Sequence, residues 1–257
     1  VTFLRGAVAF AGLVLLWQVI VLATGAPKFI LPPPALVAET WVLRWPAIWP
    51  HALVTASEIV AGLLCGTLLG CLSALLLVTF RPARRWLLPV LVASQAVPVF
   101  ALAPLLTLWL GFGVGGKVAM ATLIIFFPVT AAFYDGLRRT EPGWLDLART
   151  MGASRSSTLW RVQAMAALPA LASGLRVAAA FAPIGAVVGE WVGSAAGLGY
   201  LMLHANGRSQ TDLMFAALFT LAAIALSLWF AVDWALRRLV PWQPDTLLHD
   251  DRGEVPK

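Results

Sequence analysis

Charge is what this sequence lacks most. Of 257 residues only 12% are Asp, Glu, Lys or Arg, against 60% hydrophobic, and the mean hydropathy is +0.86. A soluble domain carries about twice that charged fraction. No water-soluble core of this size could bury so many apolar side chains, so the bilayer must act as solvent for much of the surface. Cysteine is scarce too. Cys65 and Cys71 lie six residues apart in one apolar run, on different helix faces, which reads as packing and excludes a disulfide or a metal pair. His51, His204 and His249 fall in separate loops with no metal-ligand spacing. No Ser/His/Asp set and no paired acids lie on facing segments, so an intramembrane enzyme has no visible active site.

What the chain does have is long apolar runs. Six reach the roughly 17–25 residues that cross a bilayer: near 6–23, 55–79, 86–110, 118–135, 172–193 and 212–236. The spacing predicts an all-α integral membrane protein, a single transmembrane domain over residues 1–257. Residues Ala23-Thr24-Gly25-Ala26 make a poor cleavage site, so the first run reads as an uncleaved helix. The pI near 10.1 follows from topology. With the N-terminus inside, the inner segments hold Arg5, Arg81, Arg84, Arg85, Arg138, Arg139, Arg149, Arg155, Arg161, Arg176, Arg237, Arg238, Arg252 and Lys257. The outer ones hold only Lys28, Arg44, Lys117 and Arg208. That asymmetry is the positive-inside bias; it puts both termini in the cytoplasm and leaves nucleic acid without a role.

Glycine and proline are placed with a pattern. Gly62, Gly66 and Gly70 form one four-residue ladder, and Gly185, Gly189 and Gly193 another. Each lines one helix face and lets a second backbone approach, which is how helices associate in lipid. Pro89, Pro98 and Pro104 interrupt the third run around Gln95. Such breaks are tolerated where the freed backbone groups face protein or a wet cavity, which sets this helix beside a solute path.

The longest inner connection, residues 138–170, is ordered in its chemistry. Thr140 is expected to cap a helix with Pro142 in its first turn, and Gly152 to close it. Ser154 is expected to cap a second helix running toward Leu168-Pro169. Two short amphipathic helices around a glycine turn would make a compact cytoplasmic knob.

Here the residues carry a resemblance. Asp146-Leu147-Ala148-Arg149-Thr150-Met151-Gly152, then nine residues and Val162, and later Leu168-Pro169, resembles the cytoplasmic signature loop of ABC importer permeases. Leu147 stands where the family has a small residue, and Ala164-Met165 where it has Leu-Pro. Ala148 through Arg155, Trp160-Arg161-Val162, Ala103-Pro104-Leu105, Trp109 through Gly113, and Gly197 through Leu201 are similar to nitrate, sulfonate and taurine permeases. The resemblance runs from about residue 30 onward. It implies the type I importer permease fold, with about six transmembrane helices and a cytoplasmic coupling-helix loop, in a bacterial inner membrane. It also implies partners: two cytoplasmic ATPase subunits, a second permease copy making a homodimer, and an extracytoplasmic binding protein. The helix before Gly152 would dock on the ATPase, with Asp146, Leu147, Ala148, Gly152 and Arg155 as the coupling residues. Ala148 would be small for close approach, Gly152 would allow the turn, and Asp146 with Arg155 would be polar anchors.

The remaining signals have a bland reading beside the sharp one. Gly111-x-x-x-x-Gly116-Lys117 looks like a nucleotide-binding loop, but Val118 replaces the hydroxyl that must meet magnesium and the flanks are membrane spans. The chain therefore needs no bound cofactor, and ATP with magnesium belongs to the partner ATPase. Thr55-Ala56-Ser57-Glu58 reads as a capping box at the start of the second span; lining a path is the other reading of Glu58. Glu190 at membrane depth either faces a wet interior, with Trp191, Gln95 and Tyr134 as neighbours on the path, or reaches water at the outer interface. Most of the twelve tryptophans sit at span ends, as an interfacial belt. An ion-coupled secondary carrier would show internal repeats and intramembrane charge pairs, and neither is evident. Glu190-Trp191-Val192-Gly193 and His204 through Arg208 look most like permeases for pyrimidine thiamine precursors. An acid in the path would suit a neutral or cationic heterocycle better than a sulfonate, taurine or nitrate.

Overall fold

A computed structural model of the chain describes residues 2–242; Arg252, Lys257 and His249 lie outside the described residues. Every element among those residues is helical: α1 (Thr2–Thr24), α2 (Pro34–Leu43), α3 (Trp45–Thr79), α4 (Arg81–Ser94), α5 (Ala103–Leu110), α6 (Val114–Arg138), α7 (Pro142–Thr150), α8 (Arg155–Thr158), α9 (Ala164–Gly193), α10 (Leu198–Gly207) and α11 (Thr211–Leu239). A 3₁₀ turn at Val99–Leu102 leads into α5, and a π turn at Leu159–Gln163 joins α8 to α9. The protein is an all-α membrane protein. Four helical stretches are long and apolar enough to cross a bilayer, and a fifth is the broken pair Arg81–Ser94 with Val99–Leu110. The apolar part of α1, Val8–Thr24, is shorter and sits at the lower edge of what a roughly 30 Å core needs.

Several boundaries differ from the sequence expectation, for physical reasons. The second span begins at Trp45, ten residues before the capping box, with Pro50 inside the helix. That proline removes only the bond to the Pro46 carbonyl near the helix start, a small loss. The third span is not one helix: it stops at Ser94 and resumes at Val99 after Pro98. Thr140 does not cap α7; its hydroxyl donates back to the Leu137 carbonyl at 3.1 Å, and Glu141 takes the cap position without a side-chain bond. The second knob helix does not stop at Leu168-Pro169. Helical structure continues from Arg155 to Gly193, so what was expected as a short helix is the foot of the fifth span.

The chain folds as two compact units. One gathers the chain up to Gly62 with Pro98–Ala121 and Ala182–Leu226; the other gathers Leu63–Val97, Thr122–Phe181 and the chain from Ser227. In the first, Val37, Ile48, Ala52, Leu198, Ala216 and Ala217 form the core. Trp41, Trp45 and Trp49 lie in a row with tilted rings, centroids 5.0 and 5.6 Å apart, and the Trp41 indole donates to Thr220 at 3.0 Å. In the second, Ala74, Leu77, Phe133, Tyr134, Leu137 and Ala167 pack together, and Asp233 on α11 accepts from Arg176 at 2.7 Å and Arg237 at 2.8 Å.

Both glycine ladders seat helix against helix. In the first unit a Cβ on Gly62 would strike Ala121 of α6, and one on Gly185 would lie 2.6 Å from the Ala121 Cα. In the second unit Gly66 meets Ile125 and the Thr122 carbonyl of α6, Gly70 meets Val129, and Gly174 of α9 meets Ala132 and the Pro128 carbonyl. Lipid gives helices no hydrophobic reason to pair, so backbone contact of this kind supplies the attraction. Gly66→Val would set a branched side chain 2.7 Å from Ile125 and should cost about 1–3 kcal/mol through overpacking. Gly12→Val, where nothing lies within 4 Å, should be neutral. A thermal or SDS-titration midpoint in detergent reads both; equal stability of the two variants would refute the packing role.

Candidate functional sites

Two places gather chemistry. The first is buried in the unit that holds α10. Glu58 of α3 is fully buried and forms an ion pair with Lys117 of α6, itself only 6% exposed. The Lys117 ammonium also donates to the Ser194 hydroxyl at 3.1 Å. Glu190 of α9, 1% exposed, accepts from the Thr55 hydroxyl at 2.6 Å through Oε1 and from the Gly199 N–H at 2.5 Å through Oε2. Thr55 Oγ1 in turn accepts the Leu198 N–H at 2.7 Å, and His51 Nδ1 accepts the Gly197 N–H at 3.0 Å.

The local sequence makes this possible. Gly193 to Gly199 is small and glycine-rich, and Gly197 holds φ +115°, with its missing Cβ on the side of the Glu190 carboxylate. The loop therefore wraps the acid closely and aims three backbone N–H groups at α3 and α9. Those groups open α10 and have no intrahelical acceptor. Glu190 thus supplies, from a different helix, an acceptor for the open N–H groups of this helix start.

This arrangement corrects two sequence readings. The Thr55–Glu58 stretch is mid-helix, so it is no capping box; its local pattern is right but its backbone N–H groups are already bonded. Glu190 does not reach water at an interface. The sequence reading missed Lys117, which it placed in an outer loop as part of the nucleotide-loop look-alike. Tight packing at Gly189, whose Cβ would lie 3.0 Å from the Lys117 Cα, buries it instead. A lysine six residues after the Gly111 turn, opposite a span with an unexplained acid, was the available signal. Because Glu190 is buried and its two oxygens are taken by Thr55 and Gly199, it no longer argues for a cationic solute.

The other path candidates have their own settings. Trp191 follows Glu190 with its side chain half-exposed. Gln95 is exposed, its amide 3.5 Å from the Ser94 hydroxyl. Tyr134 is buried in the Leu137 core, with the Arg138 guanidinium 5.8 Å from its ring centroid.

The second place is the knob. Pro142 opens α7 and Gly152 closes it at φ +74°. The Gly152 N–H donates to the Arg149 carbonyl at 2.9 Å and the Ala153 N–H to the Ala148 carbonyl at 2.9 Å, the paired bonds of a Schellman stop. Ser154 then caps α8, its hydroxyl accepting the Ser157 N–H at 3.2 Å. Ala148 is buried beneath the helix, not on its outer face, so its small size serves packing within the chain. Asp146 pairs with Arg149 at 2.8 Å, while Arg155 stands exposed at the start of α8. The outer face shows Trp144, Leu147 and, 78% exposed, Met151, at helical spacing i, i+3 and i+7. An apolar stripe on a polar connection is an interaction surface by default.

Comparison with known proteins follows the same lines. A family model described as "Binding-protein-dependent transport system inner membrane component" matches residues 66–243. A probable ABC transporter permease protein of Haemophilus influenzae is 54% identical over 89% of this chain and 93% of its own length. The riboflavin transport system permease protein RibX of Chloroflexus aurantiacus is 40% identical over 90% of this chain and 87% of its own. The formylaminopyrimidine transport permease protein ThiX of Halalkalibacterium halodurans is 35% identical over 91% and 94%. A solved structure of inward-facing conformations of the MetNI methionine ABC transporter superposes with a TM-score of 0.64 at 20% identity, covering 75% of this chain and 97% of that one; it speaks to the fold.

Charge balance in the buried cluster gives a direct test. Lys117→Met leaves Glu58 buried and unpaired and should destabilise by about 3–5 kcal/mol, whereas Lys117→Met with Glu58→Leu should recover most of that loss. SDS-titration midpoints of the purified protein read the difference. A double variant no better than the single one would show that the pair is not what the site depends on.

Proposed function

The chain belongs to the family of binding-protein-dependent transport system inner membrane components, and from that premise we propose how its parts divide the work. As a permease of the ABC importer class it is a transport subunit and not an enzyme, which sets aside the ion-coupled carrier and the intramembrane enzyme. In our reading the chain lies in a bacterial inner membrane with both termini cytoplasmic, the side favoured by its arginines. It pairs with a second copy of itself to enclose the path. ATP and magnesium are held by a cytoplasmic partner ATPase, and an extracytoplasmic binding protein delivers the solute.

The observation that carries this reading is the face of α7. Trp144, Leu147 and Met151 form an exposed apolar stripe on a helix with fixed ends, outside the apolar spans. In this reading the stripe fills a groove on the ATPase. Gly152 fixes where the helix stops, and Asp146 and Arg155 flank the contact. Ala148 supports it from below by letting α7 lie close to its own chain. Closure of the ATPases on nucleotide then biases the permease between two states by moving a packed element as a body. For the path itself we retain Gln95 and Trp191 on the exposure of their side chains. Tyr134 and Glu190 are buried and would meet a solute only after rearrangement.

For the solute we propose a nitrogen heterocycle of the pyrimidine or flavin kind. Support comes from the permeases named for formylaminopyrimidine and riboflavin, each aligned over nearly the whole chain.

Two measurements test these assignments. Leu147→Asp with Met151→Asp should lower co-purification with the ATPase by at least about tenfold, the loss expected when two anchors of an interface are removed, while membrane insertion is unchanged. Undiminished co-purification would sink the docking face. Thermal-shift screening of the partner binding protein should show stabilisation by pyrimidines or flavins and none by taurine, alkanesulfonates or nitrate; the reverse pattern would end the heterocycle assignment.

A further inference from the structure

The loop before α10 has the composition of a hinge. Glycines stand at 193, 197 and 199, with Ser194 and two alanines between them. Its geometry is the opposite of one. Gly197, Leu198 and Gly199 each give their N–H to a side chain from another helix: His51 and Thr55 of α3, and Glu190 of α9. Thr55 is the hub. Its single oxygen accepts from Leu198 at 2.7 Å while its proton goes to Glu190 at 2.6 Å, with the His51 carbonyl a more distant 3.2 Å away. A hydroxyl has one proton and two lone pairs, so these contacts use its proton and one lone pair, and both roles are lost together if the oxygen is removed. The far end of the loop is held as well, because Ser194 accepts from the Lys117 ammonium that pairs with Glu58. Thr55 is fully buried, so no water competes for these bonds.

We propose that Thr55 is a positioning residue that locks the start of α10 onto α3 and α9, so that α10 travels with them through the transport cycle and does not swing on its glycines. The proposal leans on the importer reading for the two states compared, and on geometry alone for the lock.

Hydrogen–deuterium exchange of the full-length protein in nanodiscs tests it through the amides of Leu198 and Gly199. In the wild type they should exchange slowly, and equally slowly alone, with the partner ATPase, and with that ATPase trapped on ATP. Thr55→Val, which keeps the shape and removes the hydroxyl, should speed both amides at least about tenfold, the size of one lost buried bond, with the rest of α3 and α9 unchanged. Thr55→Ser should stay within about threefold of wild type. Should Thr55→Val fail to insert, His51→Phe removes one acceptor and should speed the Gly197 amide alone. Fast exchange in the wild type on ATP trapping would show a hinge that opens. Unchanged exchange in Thr55→Val, or a serine variant as fast as the valine one, would remove the hydroxyl from its role. An ATPase that does not bind at all would count against the importer reading, while the comparison of variants in the permease alone would still decide the lock.

Discussion

Backbone-to-backbone contact with α6 is the constraint on which the rest depends. In lipid an apolar side chain gains little by touching another helix instead of an acyl chain, so helices that must stay together need a closer approach than side chains allow. The ladder on α3 and the glycines of α9 give that approach along successive turns of α6, at Ala121 in one unit and at Ile125, Val129 and Ala132 in the other. The partners on α6 are themselves four residues apart where they face α3. The contact is therefore a matched pair of periodic surfaces, and a single large side chain in it would part the helices over more than one turn.

Close approach also explains how a bilayer protein can afford buried charge. Lys117 lies in the turn just before Ala121, where the backbones of α6 and α9 are nearest, and Gly189 leaves it room. Held there, its ammonium meets Glu58 from one side and Ser194 from another. Glu190 is satisfied by different means, through the Thr55 hydroxyl and the open Gly199 N–H of a helix start. The second unit solves the same problem with Asp233, whose two oxygens take one arginine each. In every case the polar group is met by partners from outside its own turn, as the cost of an orphaned group in lipid requires.

Much of this was legible beforehand, in the places where the signal is local. Apolar length marked most of the spans, glycine spacing marked the packing faces, and Gly152 with Ser154 marked the turn of the knob. What could not be read locally was read wrongly. The Thr-x-x-Glu pattern at Thr55 fits a helix start equally well in isolation; only Trp45, ten residues earlier, shows that the helix is already under way. Leu168-Pro169 looked like the end of the second knob helix, yet Pro169 removes only one backbone bond from a helix that runs on to Gly193. Lys117 was misplaced because the glycines before it suggested a loop, and its partner lies 59 residues away in sequence, on a helix that pattern reading cannot align with its own.

The ion pair between Glu58 and Lys117 bears on how such a chain is made. Synthesis runs from the N-terminus, so α3 leaves the ribosome well before α6. Until α6 follows, Glu58 is a lone carboxyl in an apolar segment, and an unpaired acid there costs on the order of 3 kcal/mol of insertion free energy. The long leucine-rich run behind it can carry that cost. Lys117 brings the opposite charge to a segment that is less apolar, and Glu190 arrives later still. Membrane integration of this protein is therefore not a series of independent decisions. The charge balance of the early helix is completed only when its neighbour arrives, so the two insertions are linked through one acid and one base.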